Sequence, residues 1–432
     1  MLKKILEKLH QIWRARDLRK NLLYVLLMLV LFRIAANIPI PGVNVGNLER
    51  FFQGNQAFGL LNIFSGGALE NFSIVLLGVG PYITASIIFQ LLGMIVPQLE
   101  EMQKEGGEAG RRKINQYTRL LTVPIALMQS YATLTFLQRA GQGVILGTLP
   151  PFDLVTALIT ITGGTVLLMW IGELITERSV GNGISLLIFA GIISGIPTAI
   201  QQASATFDSS QLFDLIAFIV IALLTIAGVV FMTEGQRNIP VSYARQTRGT
   251  TAFGALQTYL PLRVNQAGVI PIIFAVSLVL FPSLVAQFLV GSSITWLAGI
   301  ANVVLDLFNN QLFYGVFYFI LVVAFSYFYT AVVFHPDQIA ENLQKRGGFI
   351  PGIRPGRPTV EYLTRTSFRI LLAGSLFLGV IAVMPIAVKE ILGLGGQNLV
   401  VGGTSLLIVV SVVTESLKQI ESQLVMRDYE GF

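Results

Sequence analysis

Few residues in this chain could carry out covalent or metal chemistry, and their spacing does not suit it. The sequence holds no Cys, which excludes disulfides, Fe–S clusters and thiol chemistry. Its two histidines, His10 and His335, stand alone, with no second His or Cys at metal-ligand spacing. The acids of the apolar runs, Asp153, Glu173 and Asp214, sit at run ends. Arg33 is the single interior charge, a cation placed to snorkel or to pair with a loop acid. Ion-coupled transporters usually keep Asp, Glu, Lys or His inside their spans, because the coupled charge needs a partner. No HExxH, GxSxG or carboxylate pair offers hydrolysis, and no GxxxxGK followed by Ser or Thr offers a nucleotide site. The chain is expected to be no enzyme and to use no cofactor.

What recurs instead is branched aliphatics beside helix breakers. Val79, Pro81, Ile83 and Ile87 form one such group. Ile184, Ile188, Gly191 and Ile192 form a second, and Ile270, Pro271 and Ile273 a third. Ile188 and Ile192 are four apart and share a helix face. Most isoleucine stripes face lipid or core, but a hydrophobic constriction is also one way in which a channel gates and seals.

The elements that would hold these residues are set by composition. Of 432 residues, 53% are hydrophobic and only 12% charged. A soluble domain has about a quarter of its residues charged, so the chain reads as an all-α integral membrane protein. A crossing helix needs about 20 apolar residues, and runs of that kind predict ten transmembrane helices. They lie near 21–40, 74–96, 116–138, 153–173, 184–201, 212–232, 268–290, 311–334, 368–388 and 399–416. Leu60 to Phe72 is too short to cross and contains Gly66, Gly67, Glu70 and Asn71. It is either a re-entrant segment, which survives only inside protein or against a wet cavity, or a short amphipathic helix on the membrane surface. No cleavable signal peptide is expected, since Lys3 to Lys20 is a long basic amphipathic stretch with no small-residue cleavage site after the first span.

Charge orients the spans. All but Arg33, Arg50, Arg139 and Lys389 of the 29 Lys and Arg residues fall in the two tails, in the loops after even-numbered spans or, as Arg119 and Arg369 do, within the first few residues of the span that follows such a loop. Short loops rich in Lys and Arg stay cytoplasmic, so both termini are expected there. Ten spans divide into halves of five, 1–205 and 206–432, that enter the membrane in opposite directions. An inverted repeat requires that arithmetic, and such proteins place their working site between the halves. Two cytoplasmic loops, 233–267 and 335–367, exceed plain connector length and carry more basic charge than topology needs. They would suit an anionic partner such as ribosomal RNA.

With these residues in view, the chain closely resembles the SecY family, the central subunit of the bacterial protein-conducting channel. The resemblance rests on RIAANIPIPGV at 33–43, NIFSGGALENFSI at 62–74, GVGPYITASIIFQLL at 78–92 and GEAGRRKINQYTR at 107–119. GNGISLLIFAGI at 181–192, LPLRVNQAGVIP at 260–271, FIPGIRPGRPT at 349–359 and VGGTSLLIVV at 401–410 follow in family order. The resemblance implies two inverted pseudo-symmetric five-helix halves around a central pore, hinged on one side and opening laterally to lipid on the other. It implies a hydrophobic pore ring of Val79, Ile83, Ile188, Ile192, Ile273 and Ile408; the family more often has Ile at the first of these. It favours the re-entrant reading of the short segment. Asn62, Ile63, Phe64, Ser65, Gly66, Gly67, Ala68, Leu69, Glu70, Asn71 and Phe72 would be the plug that blocks the resting pore. Ile87, Gln90 and Phe281 would flank the lateral gate that admits signal sequences.

Arg354, with Arg357, Arg245 and Arg248, would engage the SecA motor ATPase or the ribosome. The implied function is passive conduction of unfolded secretory polypeptide across the bacterial cytoplasmic membrane, with apolar segments released sideways into lipid. SecE and SecG are the small membrane partners it implies. The alternative reading, an inverted-repeat secondary transporter of a small solute, is disfavoured by the missing interior charges.

Overall fold

The structure, a computed structural model, describes residues 12–40, 68, 72–104, 107–140, 150–205, 212–243, 257–266, 268–290, 295–391 and 403–430. Arg16–Ala36 forms α1, which ends at Asn37; the Asn37 side-chain amide donates to the Arg33 carbonyl at 2.7 Å, and Pro39 follows. Gly80–Ile95 forms α2, Pro97–Lys104 α3 and Gly107–Ala140 α4. Pro151–Glu177 is α5, Gly183–Ala205 α6 and Leu212–Glu234 α7. After strands β1 (Gln236–Tyr243) and β2 (Gln257–Arg263) come α8 (Ile270–Val290) and α9 (Thr295–Asn309). Gln311–Val333 is α10 and Pro336–Lys345 α11. The short β3 (Gly348–Phe349), α12 (Arg357–Ile391) and α13 (Gly403–Glu430) complete the order.

Each of the ten predicted spans overlaps one of these helices, α1, α2, α4 to α8, α10, α12 and α13, and residues 399–402 of the tenth lie outside the described residues. Among the described residues, three helical stretches are long and apolar enough to cross a membrane by themselves: Pro151–Glu177, Gln311–Lys345 and Arg357–Met384. The second span differs from its prediction. Residues 74–79 are successive turns, closed by Leu76 N–H to Ser73 C=O at 2.9 Å and Gly78 N–H to Val75 C=O at 2.8 Å, and the helix begins only at Gly80. The physical reason is Pro81, which lacks an N–H and whose ring would clash with the carbonyl of the preceding helical turn. Gly78, at φ +56°, adds a left-handed residue that no helix accommodates.

Neighbouring helices define the bundle. In the first set α1 touches α5 and α6, α2 touches α4 and α5, and α4, α5 and α6 pack in sequence. In the second set α7 touches α13, while α8, α10, α12 and α13 pack in sequence. Between the sets, α2 and α4 meet α8, and α6 meets α13. The close approach of α5 and α6 depends on Gly183, where a Cβ would collide with the Gly172 carbonyl.

The fold is not wholly helical. β1 pairs antiparallel with β2 from Gln236↔Arg263 to Ser242↔Gln257, and β3 pairs with β1 at Ser242↔Phe349 and Tyr243↔Gly348. The order β2-β1-β3 joins the two long basic loops into one sheet. Ile239, Leu262, Ile350 and Leu363 form a small core beneath it, and that hydrophobic cluster holds the loops together.

Candidate channel neck, gate and docking face

The six residues expected to form the ring come from four helices spread over most of the chain, and the structure gathers them. Val79 is the N-cap of α2, and Ile83 follows one turn later on the same face. Ile188 and Ile192 lie one turn apart on α6, Ile273 in the first turn of α8, and Ile408 near the start of α13. All six are between 1% and 7% exposed and belong to one continuous apolar core. Ala68, the one residue of 62–71 within the described set, is fully buried in that same core. Residues 62–67 and 69–71, the rest of the expected plug before Phe72, lie outside the described residues.

The segment that joins the expected plug to the expected neck is anchored by backbone. Ile40 N–H donates to Phe72 C=O at 2.9 Å and Ile74 N–H to Ile38 C=O at 3.0 Å, so the end of α1 holds residues 72–74. Ser73 N–H reaches the Ala68 carbonyl at 2.9 Å. Phe72 is fully buried and left-handed (φ +45°), a conformation uncommon outside glycine. On the other side α5 closes in at Gly164, where a Cβ would collide with the Ile74 carbonyl. Non-helical backbone at this place is tolerated because protein surrounds it and its own turns satisfy it.

Apart from the Tyr318 phenol, every buried polar side chain among the described residues is Ser or Thr. Several satisfy themselves on their own helix: Thr122 donates to Thr118 C=O at 2.7 Å, Ser130 to Ala126 C=O at 2.5 Å and Ser326 to Val322 C=O at 2.7 Å. The core around these six residues is therefore apolar and holds no charged side chain among the described residues.

The expected gate helices α2 and α8 are in contact. Ile87 is half-buried and packs on the central core. Gln90 is also half-buried, its side-chain oxygen shielded and without a hydrogen-bond partner among the described residues. Phe281 lies on α8; its side chain is outside the described set. On the opposite flank Phe89 of α2 stacks on Tyr117 of α4, ring centroids 6.1 Å apart, which couples those two helices.

At the sheet, Arg354 and Arg357 are exposed, whereas Arg245 and Arg248 lie outside the described residues. Arg354 stands between two Pro-Gly turns. Ile353 N–H closes onto Ile350 C=O at 3.0 Å across Pro351 and Gly352 (φ +83°), the pattern of a type II turn. Pro355 and Gly356 (φ +94°) repeat the Pro-Gly pair, and the Thr359 hydroxyl donates to the Arg354 carbonyl at 2.9 Å. The backbone of Arg354 is thus fixed while its guanidinium projects from the surface. Arg237, Arg263, Arg346, Arg365 and Arg369 are also exposed, making this end of the bundle basic.

Two features escaped the sequence reading. Strand β1 alternates inward Ile239 and Val241 with outward Asn238 and Pro240, a period-2 signal too short to stand out among the neighbouring turn formers. Helix α9 is too short for any span criterion.

A SecY family model matches residues 73–417. The chain is 45% identical over 438 aligned positions to the protein translocase subunit SecY of Mycobacterium bovis, covering 97% of this chain and 98% of that protein. It also superposes on a structure of SecY whose plug domain is described as stabilising the closed state of the translocation channel and maintaining a membrane seal. That match has TM-score 0.63 and 20% identity, and covers 92% and 91% of the two chains. Sec61 in the canine ribosome-channel complex from the endoplasmic reticulum superposes with TM-score 0.60 and 19% identity, over 92% and 91% of the chains. These likenesses put the molecule among protein-conducting channels and not among solute transporters or enzymes. The chain belongs to the SecY family.

Proposed function

We propose that the chain conducts unfolded secretory polypeptide across the bacterial cytoplasmic membrane, through a neck formed by Val79, Ile83, Ile188, Ile192, Ile273 and Ile408. The observation that carries this reading is their convergence, from four helices, in one apolar core that also holds Ala68. Branched aliphatics offer no hydrogen bonds, so they bind no particular cargo side chain and can pack around whatever passes. At rest the same apolar neck disfavours continuous water and blocks ions by dewetting. Residues 62–72 act as the plug against it.

The chain works as two inverted halves, 1–205 and 206–432. In support, each packing pair within α7, α8, α10, α12 and α13 has its counterpart, in order, among α1, α2, α4, α5 and α6. The halves part at α2 and α8 near Ile87, Gln90 and Phe281, which lets signal sequences and apolar segments pass into lipid. Both termini and the sheet face the cytoplasm, in keeping with the charge distribution. There Arg245, Arg248, Arg354 and Arg357 engage SecA or the ribosome, including its RNA, while SecE and SecG brace the bundle within the membrane. Reconstitution with these small partners in liposomes, with SecA, ATP and an unfolded precursor added, tests the reading. Precursor should become protected from external protease; protection no greater than in protein-free liposomes would overturn it.

A further inference from the structure

Helix α9 rises about 22 Å over its 15 residues, too little to cross a bilayer. It touches both α8 and α10, at the end of those helices away from the sheet, since β2 leads into α8 and α10 leads through α11 to β3. Its residues divide into three faces. Ala301 is buried, and Leu297, Val304 and Phe308 are half-buried on the inner side. Trp296, Ile300, Val303 and Leu307 form an exposed apolar stripe with spacings of four, three and four, Trp296 being 64% exposed. Asn302, Asp306 and Asn309 form an exposed polar stripe beside it.

An apolar and a polar stripe side by side on one exposed helix suit a boundary between hydrocarbon and water. The occupant of the apolar stripe follows from its continuity with α10. Asn310 caps α10 by accepting from the Leu312 and Phe313 N–H groups at 3.0 and 3.3 Å. Phe308 meets Phe313 and Phe317 edge-on, with centroids 5.6 Å apart in both pairs, so the α9–α10 corner is rigid. From that corner, exposed Leu312, Val316 and Ile320 carry the apolar surface onward along a helix long enough to cross the bilayer. No Lys or Arg occurs between Arg263 and Lys345, so apolar burial, not attraction to anionic headgroups, drives the contact.

We propose that α9 is an interfacial helix whose Trp296 stripe lies in the headgroup–acyl boundary of the leaflet farther from the sheet. It thereby ties the far end of α8 to the bilayer surface.

The chain has three Trp: Trp13, Trp170 and Trp296. Trp13→Phe with Trp170→Phe leaves Trp296 as sole reporter in the full chain, reconstituted in phosphatidylcholine vesicles with its small partners. Lipid brominated near the headgroup should quench its emission about twofold more than lipid brominated near the chain end, matching a depth of roughly 5–10 Å. Aqueous acrylamide should quench weakly. With Trp296→Phe added, Val303→Trp should repeat that pattern, whereas Asn302→Trp should respond to acrylamide and not to brominated lipid. Three results would overturn the proposal. They are no quenching of Trp296 by either lipid, as if protein covered the stripe; quenching chiefly by acrylamide; and strongest quenching by the deep bromine.

Discussion

Polar replacement of two neck residues, Ile83→Asn with Ile273→Asn, should turn a tight resting channel into a leaky one. The two side chains are 7% and 5% exposed in the central core, read here as the closed neck. Burying each stabilises closure by about 1.5–3 kcal/mol over exposure. An Asn in the same dry place forfeits that and strands an amide, whose penalty of about 1–3 kcal/mol falls on the closed state alone, because opening hydrates it. Counting only the lost burial, the pair shifts the balance by about 3–6 kcal/mol, or roughly 10²- to 10⁴-fold toward the open state. The control Ile83→Val with Ile273→Val removes one methylene per site, about 1.6 kcal/mol in all, and leaves the neck apolar. Single-channel recordings in planar bilayers should show resting chloride conductance for the Asn pair and almost none for the Val pair. An Asn pair as tight as the parent, yet less stable to heat by the same few kcal/mol, would refute the reasoning. It would mean that these isoleucines only pack the bundle.

Three further outcomes follow from the geometry. Cysteines introduced by Ile87→Cys and Phe281→Cys should cross-link at rest, in a background free of native Cys, and the bond should stop both secretion and membrane integration; normal export through the bonded form would count against a gate between α2 and α8. Arg354→Glu should lower SecA-driven translocation at least tenfold without changing the melting temperature, since its side chain is exposed and its loop is held by the Ile353–Ile350 backbone bond and by the Thr359 hydroxyl on the Arg354 carbonyl; undiminished stimulation of the SecA ATPase would contradict the docking role. Gly183→Ala should destabilise the protein by about 1–3 kcal/mol, because the new methyl collides with the Gly172 carbonyl and forces α5 from α6, and unfolding in denaturant would measure the loss.

Val79, Ile83, Ile188, Ile192, Ile273 and Ile408 were legible through the family motifs that hold them, not through periodicity, and all six are buried in one core. Helix limits were less legible. Hydropathy reads the stretch that hydrocarbon covers, and it predicted 116–138 and 399–416, whereas α4 starts at Gly107 and α13 runs on to Glu430. Those extensions carry Arg112, Lys113, Lys418 and Glu421, which helix tolerates and lipid does not. The opposite error occurred at 74–79, where apolarity is unbroken but Gly78 and Pro81 prevent a helix. The sheet went unread because β3 is two residues long and pairs with a strand more than 100 positions earlier; only tertiary contact makes it a strand.

The most direct measurement places a photo-crosslinking residue at each neck position in turn while a precursor is stalled in transit. Adducts with the precursor should form from Val79, Ile83, Ile188, Ile192, Ile273 and Ile408, and not from Ile159 or Leu224, which are apolar and exposed on the outside of the bundle. Adducts from the outer positions, with none from the neck, would show that the chain takes another route.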